Sequence, residues 1–387
     1  MPKNNLFTFK RSKNDIMWQI LCKGGLIVLI LNLVSDGCSY ALPISFLSMP
    51  SRTINLNKAN LDIKGNLRLR YEYENNFNIK NYQNTKDNYL LERFRWDFVL
   101  KTKQGFRAFI QFQDAHCIDC ALGASDFKGS CPYINEFDVR QAYVEWQHLR
   151  NSPFGLLIGR QSISYGDRRI FGPGDWGNVG RYTWDVAMLK YEVLYLKLDA
   201  FYGKRIYYRP RAFWDDHYPY DAYTVYGQIQ KLPFRIDFFY VFKNNRKDKE
   251  KYSTSFKKEQ RHTFGFYLSG EKGDIDYGGT FAYQTGCYPG KRIEAYDLNA
   301  RLGYTIPILF NSRLAAQYSY ASGDKNPHDN KVGTFDGVFG AIDMYYGRMN
   351  IFCWKNLEDY QLTYEIMPIK GLKFTTPPRM PRAEARG

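Results

Sequence analysis

The chain has 387 residues, and its 54 Lys and Arg outnumber its 39 Asp and Glu, giving a formal net charge of +15. Aromatic residues make up 17% of the chain, yet the mean hydropathy is negative, which excludes a bundle of membrane-spanning helices. The surplus of basic residues predicts an anionic partner or surface. A nucleic-acid-binding protein would gather its basic residues in patches on a soluble core, so we expect no nucleic-acid partner.

The N-terminus has the order of a secretory signal peptide. Basic residues precede an apolar run of 11 residues, from Gly24 to Val34, and small residues follow it. A membrane-spanning helix needs roughly 20 apolar residues, so this run is too short to be one. We predict a signal peptide over 1–41 and a short periplasmic segment over 42–59. Cys38 leaves a lipoprotein signal as an alternative, although the residues before it fit that pattern poorly.

From about residue 60 the apolar residues recur with a period of two, which predicts strands. In "LDIKGNLRLRYEY", which begins at Leu61, apolar and charged residues alternate. The pattern recurs to "LEDYQLTYEIM", which begins at Leu357. A soluble sandwich would bury the apolar face, whereas a membrane barrel turns it toward lipid.

The connections between these strands alternate between short and long. Short ones include "KQG" at 103–105 and "KLP" at 231–233, and the long ones fall near 74–88, 114–137, 162–183, 206–221, 243–260, 286–294 and 321–356. This alternation is typical of an outer-membrane barrel with tight periplasmic turns and large extracellular loops. We therefore predict an all-β fold, a transmembrane antiparallel β-barrel over 60–376, in a bacterial outer membrane.

Three cysteines lie close together after "FRAFIQFQD", the third predicted strand. Cys117, Cys120 and Cys131 could supply zinc ligands, but a single CxxC without a second pair indicates zinc only weakly. In an exported protein a disulfide within this loop is the favoured interpretation. Asp324, Asn326 and Asp329 offer oxygen atoms suited to calcium, but without the EF-hand spacing, and we predict an Asx-rich turn there. No metal or cofactor is expected.

Two long segments resemble signatures of the alginate-export family of outer-membrane proteins. "GRQSISYGDRRIFGPGDWGNVGR" begins at Gly159, and "ASGDKNPHDNKVGTFD" begins at Ala321. Both lie at strand-loop junctions in the order that the family shows, and the resemblance extends from about Leu61 to Thr376. The first segment lacks the lysine and hydroxyl residue of a phosphate-binding P-loop.

The resemblance implies an 18-stranded monomeric barrel whose basic lumen passes an anionic polysaccharide passively, with outer-membrane lipid around it. It also makes periplasmic polysaccharide-secretion components a further partner class. In the alternating strand pattern itself, arginines occupy the polar positions, which we expect to face the lumen. The family's pore-narrowing loops add further residues near the opening of the channel. The predicted lumen and constriction residues are Arg68, Arg70, Arg93, Arg95, Arg107, Arg160, Asp167, Arg168, Arg181, Arg235, Arg301 and Arg313.

Two other functions stay open from the sequence. One is a general anion-selective porin with a small solute, and the other is an outer-membrane enzyme. For the enzyme, none of the five histidines lies near a serine in a recognised nucleophile motif.

The C-terminal part departs from the pattern. About 14 to 15 strands can be counted, the last beginning in "LKFTT" at Leu372, and "PPRMPRAEARG" then shows no alternation. We therefore expect an irregular tail over 377–387 and a C-terminus truncated relative to the 18-stranded family barrel.

Overall fold

The computed structural model describes most of the chain from residue 40 onward. The described residues are 40–48, 51–75, 86–123, 126, 131–174, 177–180, 182–246, 249–251, 254–307, 312–326, 328–340, 342–345, 353–369, 372–376 and 379–382. The predicted signal peptide therefore lies almost wholly outside them. No helix within these residues is long and apolar enough to cross a membrane.

Strands make up nearly all of the described regular structure. Two short strands come first, β1 (Tyr40–Ser48) and β2 (Arg52–Leu56). The long strands and three short ones then follow as β3 (Ala59–Asn75), β4 (Lys86–Thr102), β5 (Phe106–Ile118), β6 (Asn135–Trp146), β7 (Phe154–Ser162), β8 (Thr183–Val193), β9 (Leu196–Tyr207), β10 (Asp216–Ile229), β11 (Phe234–Asn245), β12 (Lys249–Lys251), β13 (Thr254–Phe256), β14 (Glu259–Lys272), β15 (Ile275–Tyr288), β16 (Lys291–Ile306), β17 (Ser312–Ala321), β18 (Lys331–Val332) and β19 (Leu357–Ile369). β20 (Leu372–Thr376) and β21 (Arg379–Arg382) come last, and the described helices are a 3-10 turn at Leu149–Asn151 and α1 (Ile342–Tyr345).

The long strands form one antiparallel sheet in which each strand pairs with the next long strand. The ladder runs without exception from β3 to β19. The all-β antiparallel prediction is confirmed, and the 14 long strands agree with the number expected as far as β19. Among the described strands, no ladder joins β1 or β2 to β20 or β21, so pairing does not close the sheet there.

The sheet has a polar inner face and an apolar outer face. On β16, Leu298 and Leu302 are 41% and 59% exposed, whereas Asp297 and Asn299 are 0% and 4% exposed. This is the reverse of a soluble protein, in which exposed leucine and buried aspartate would both be unfavourable. A lipid environment outside the sheet accounts for the apolar face.

Most connections have the predicted alternation, with one exception. Long connections separate β7 from β8 and β17 from β19, and turns of two residues join β8 to β9 and β14 to β15. The long loop predicted near 286–294 is wrong, because Tyr288 pairs directly with Lys291 across Pro289 and Gly290. Gly290 has a φ of 73°, a conformation that glycine adopts without strain and that a Pro-Gly turn requires.

The first and the last described strands lie closer to the sheet than the sequence predicts. β1 pairs with the upper part of β3 and β2 with its lower part, so the segment predicted to be periplasmic runs along a barrel strand. β1 also includes Ala41, after which cleavage is predicted. In the predicted irregular tail, β21 pairs with β19 from Glu358 to Gln361. Edge strands tolerate proline and need no side-chain alternation, which is why these segments lack the sequence pattern of the central strands.

Candidate functional site

Residues 163–182, the inner loop, fold into the space enclosed by the sheet. One part of the loop contacts β15, where the Thr280 hydroxyl donates to an Asp167 carboxylate oxygen at 3.2 Å. Another part contacts β3, where Arg68 Nη2 donates to the Gly177 carbonyl at 3.0 Å. Because β3 and β15 lie far apart in the sheet, these contacts show that the loop spans its interior.

The second half of the inner loop is held by its Asn178 side chain and the neighbouring carbonyl of Val179. Asn178 Nδ2 lies 2.9–3.0 Å from three backbone carbonyl oxygens, those of Glu92, His116 and Tyr133. The Val179 carbonyl accepts from Gln113 at 3.0 Å and from Arg140 at 2.8 Å. These buried hydrogen bonds join the loop to strands β4, β5 and β6, and fix its position across the lumen.

The first half of the loop contains a tip formed by Tyr165, Gly166 and Asp167. The Tyr165 ring stacks on Tyr226 with ring centroids 4.0 Å apart, and its hydroxyl donates to Asp199 at 2.7 Å. Burial and the Asp199 carboxylate raise the pKa of Tyr165. Gly166 has a φ of 56°, and a Cβ there would lie 3.1 Å from the Tyr226 hydroxyl oxygen. The tip therefore requires glycine for both conformation and space.

Residues 322–356, the second loop, pack against the inner loop through aromatic side chains. The Phe339 ring centroid lies 5.3 Å from that of Phe171 and 4.4 Å from that of Trp184. The loop is also held by Asp336, which accepts from Lys243 Nζ at 2.7 Å. Burial raises the pKa of Asp336, but the opposing charges of Lys243 and Arg261 outweigh it and lower that pKa to about 2. The two loops thus form one packed plug.

Four of the predicted lumen arginines lie on β3 and β4. The Arg70 Nε atom lies 2.5 Å from a Glu72 carboxylate oxygen, and Arg95 Nε donates to Gln113 at 2.8 Å. Arg93 is only 7% exposed, and Arg68 binds the inner loop as described above. These side chains all point inward, and those with described partners hold the wall or the loop in place.

Two predicted residues of the constriction lie in the inner loop. Asp167 accepts from Arg169 Nε at 2.9 Å, and Arg169 in turn lies over the Tyr345 ring at 3.7 Å. Arg168 has a φ of 69°, and its Nη1 atom lies 3.9 Å from Met344 Sδ. Arg181 lies outside the described residues.

Arg107 and Arg160 lie along the wall between β5 and β8. Arg107 Nη1 lies 3.6 Å from Glu145. Arg160 is 0% exposed, donates to both carboxylate oxygens of Asp185 and lies 3.9 Å from the Trp214 ring.

The prediction that Arg160 lines the channel does not agree with this placement. Arg160 pairs with Asp185 across the ladder, and its strand phase is that of the outward-facing Ile158, which is 46% exposed. The sequence does not predict this orientation. Arg160, Gln161 and Ser162 are all polar, so the alternation of apolar and polar residues is lost at the strand end.

The periplasmic end of the lumen contains a cavity of about 780 Å³, which we call the vestibule. Its lining includes Gln228, Lys231, Arg235, Tyr267, Ser269, Asp276 and Arg301. The inner-loop tip lies above it, because a Cβ on Gly166 would be 3.4 Å from the Tyr267 ring. The vestibule therefore ends where the plug begins.

Acidic partners neutralise the vestibule arginines to different degrees. Arg235 Nε and Nη2 donate to Asp237 at 2.9 Å and 2.7 Å. Arg313 makes two hydrogen bonds of 2.7 Å to Asp276, whereas Arg301 approaches the same carboxylate only to 3.7 Å. The Arg301 side chain is 46% exposed and therefore presents its guanidinium to the vestibule.

The cysteine cluster forms part of an extracellular connection rather than of the lumen. Cys117 and Cys120 are joined in a disulfide with their Cα atoms 5.9 Å apart, and Cys131 is a buried free thiol. Burial raises the pKa of Cys131. No group of three or more potential metal ligands is present among the described residues.

The predicted lumen residues do not include Arg205, although it faces the lumen. Arg205 lies on β9 opposite Trp184, and the phase that it shares with the buried Asp199 and Phe201 turns it inward. The alternation in "YLKLDAFYGKR" indicates that Arg205 faces inward. The basic Lys204 and the aromatic Tyr207 at the same strand end make this alternation hard to recognise.

Comparisons with solved structures support a porin-type barrel. The chain is 15% identical to Pseudomonas aeruginosa OccK5 (OpdH), with a TM-score of 0.50 and coverage of 85% of this chain and 83% of that one. It is 14% identical to Pseudomonas aeruginosa OpdQ, with a TM-score of 0.50 and coverage of 82% and 79%. At these identities the likeness is one of fold.

Sequence comparison identifies the family. No curated protein sequence matches the chain significantly. A family model described as "Alginate export", however, matches residues 59–377, which include both signature segments and the whole ladder from β3 to β19. The chain therefore belongs to the alginate export family, and it is an outer-membrane β-barrel protein of porin type.

Proposed function

We propose that this outer-membrane channel passes an anionic polysaccharide or oligosaccharide of alginate type, and that the solute first binds in the vestibule. The family and the barrel fold are those of an outer-membrane channel. The observation that carries the finer proposal is the exposed Arg301 guanidinium in a cavity of about 780 Å³. A guanidinium matches the geometry of a carboxylate, the charged group of a uronic acid.

The local charge supports this choice of solute. Asp276 is shared between Arg313, which binds it through two hydrogen bonds, and Arg301, which does not. Arg313 also lies 3.8 Å from Glu365, so Asp276 and Glu365 together balance its charge, whereas Arg301 has only the 3.7 Å approach to Asp276. Tyr267 adds an aromatic face beside Arg235, whose Cζ atom lies 5.4 Å from the ring centroid. A carboxylated sugar could engage both kinds of surface.

A general anion porin with a small solute is the second candidate. It is favoured by the inner loop, whose contacts with both β3 and β15 leave a narrower path than an open barrel would have. A polysaccharide chain would pass only if the plug moves aside or leaves a gap along one wall.

Block of the ion current distinguishes the two candidates. Purified protein in a planar bilayer should show current interruptions when trigalacturonate is added on the periplasmic side, with a frequency that rises with concentration. Maltotriose, an uncharged trimer of similar size, should cause far fewer interruptions because it lacks carboxylates. Equal block by both trimers, or none by either, would contradict an oligouronate channel and favour a porin for small anions.

A further inference from the structure

Arg205 lies at the opposite end of the lumen from the vestibule. It is the third residue from the end of β9, beside the inner-loop end and the first residues of β10. The turn between β8 and β9 is one of the short periplasmic turns, so the far end of β9 is extracellular. Arg205 therefore points into the lumen near its exit.

Three tyrosines surround the Arg205 guanidinium. Its Cζ atom lies 4.1 Å from the Tyr182 ring centroid and 4.3 Å from that of Tyr218. Nη1 donates to the Tyr220 hydroxyl at 3.1 Å. The rings attract the cation through their π faces, but they supply no opposite charge.

Arg205 differs from Arg235 and Arg313 in having no acidic partner among the described residues. Within the described part of the chain, no carboxylate lies within ion-pair distance of it, whereas Arg235 and Arg313 each bind one closely. Its Nε atom is buried and has no hydrogen-bond partner among the described residues. A partly buried cation without a counter-ion is energetically costly and attracts an anion strongly.

The unused edge of the guanidinium has the geometry of a carboxylate site. With Nη1 bound to Tyr220, Nε and Nη2 form the remaining side of the fork, which is the side that can hold two carboxylate oxygens at once. The tyrosines combine apolar ring faces with hydroxyl groups, so they can contact a sugar ring as well as its hydroxyls.

Tyr182 links this group to the plug. It is the last residue of the inner loop, only 8% exposed, and it covers one face of the guanidinium. Movement of the inner loop would therefore remove Tyr182 from Arg205 and uncover the cation.

We propose that Arg205, with Tyr218 and Tyr220, binds the carboxylate of a uronic-acid residue at the extracellular end of the lumen, and that Tyr182 covers this site while the inner loop is in place. The class of ligand rests on the proposed function; the location of the site and its cover rest on the contacts of Arg205 alone. The chain would then have two anion-binding positions, one on each side of the plug.

The test is block by trigalacturonate added separately to each side of a planar bilayer. A membrane-impermeant thiol reagent that reacts with the exposed Cys287, at the extracellular end of β15, establishes which side is which. The variants are Arg205→Gln, Arg205→Lys and Tyr182→Ala, with Arg292→Gln as the control because Arg292 forms an exposed extracellular ion pair with Glu294.

Arg205→Gln should weaken extracellular block about tenfold, as expected for loss of a charged hydrogen-bonded pair, and leave periplasmic block unchanged. Arg205→Lys should retain part of the affinity, since it keeps the charge without the fork. Tyr182→Ala should increase the rate at which extracellular block begins. Arg292→Gln should resemble the unmodified protein.

The results separate the two proposals. Unchanged extracellular block in Arg205→Gln, with normal periplasmic block, would overturn the Arg205 site and leave the proposed function intact. An unchanged onset rate in Tyr182→Ala would overturn the role of Tyr182 as a cover. Absence of block from both sides in the unmodified protein would contradict the proposed function and with it the uronic-acid ligand.

Discussion

Deletion of the inner loop, residues 163–182, with a short Gly-Ser link from Ser162 to Thr183, should raise the single-channel conductance several-fold. The loop spans the interior from Arg68 to Thr280, so its removal clears the path between the vestibule and the exit. The barrel should still fold, because the ladder between β7 and β8 does not include the loop. Heat-modifiable migration in gels checks folding, and bilayer recordings measure conductance.

The control is deletion of the hairpin formed by β12 and β13. These strands pair only with each other in a separate two-stranded sheet, so their loss should leave conductance unchanged. A folded inner-loop deletion with the conductance of the unmodified channel would show that the loop does not limit ion flow.

Charge reversal at Arg301 should lower the ratio of chloride to potassium permeability by about 3- to 10-fold, because a two-unit change of charge acts at short range inside the lumen. Arg301 is the vestibule arginine with the weakest ion pair and a 46% exposed side chain. Its replacement by glutamate should also weaken periplasmic block by trigalacturonate. Zero-current potentials in a KCl gradient measure the first effect.

Lys249→Glu makes the same change of charge on the separate two-stranded sheet of β12 and β13 and should scarcely alter selectivity, since salt screens charges in solvent beyond about 10 Å. Equal shifts in the two variants would indicate that overall surface charge, rather than the vestibule, sets selectivity.

The alternation of side chains made the barrel predictable. On β16 the sequence "YDLNARL" alternates so regularly that the residue order alone assigns its inward and outward faces. The strands at the two edges of the sheet are harder to predict from the sequence. β1, β2 and β21 are defined by backbone pairing with β3 and β19 rather than by an apolar face. Glycine and proline mark long loops as well as tight turns, so the sequence predicts a long loop where Pro289 and Gly290 form a two-residue turn.

The partners of the lumen arginines could not be predicted from a linear pattern. Arg313 on β17 reaches Asp276 on β15, across the intervening strand, so the pair depends on register and side-chain length. The motif predicts that Arg160 lines the channel, but the ladder turns its side chain outward to Asp185. Strand phase alone also does not distinguish Arg205, which has no acidic partner in the described part of the chain, from arginines that acidic neighbours neutralise.

The zero-current potential of the unmodified channel tests the central claim most directly. With purified protein in a neutral bilayer and a tenfold KCl gradient, the vestibule charge predicts a potential of the sign that chloride permeation produces. The exposed Arg301 guanidinium should maintain this sign over a range of neutral pH. A potential of the opposite sign, which requires potassium to be the more permeant ion, would contradict an anion-conducting lumen.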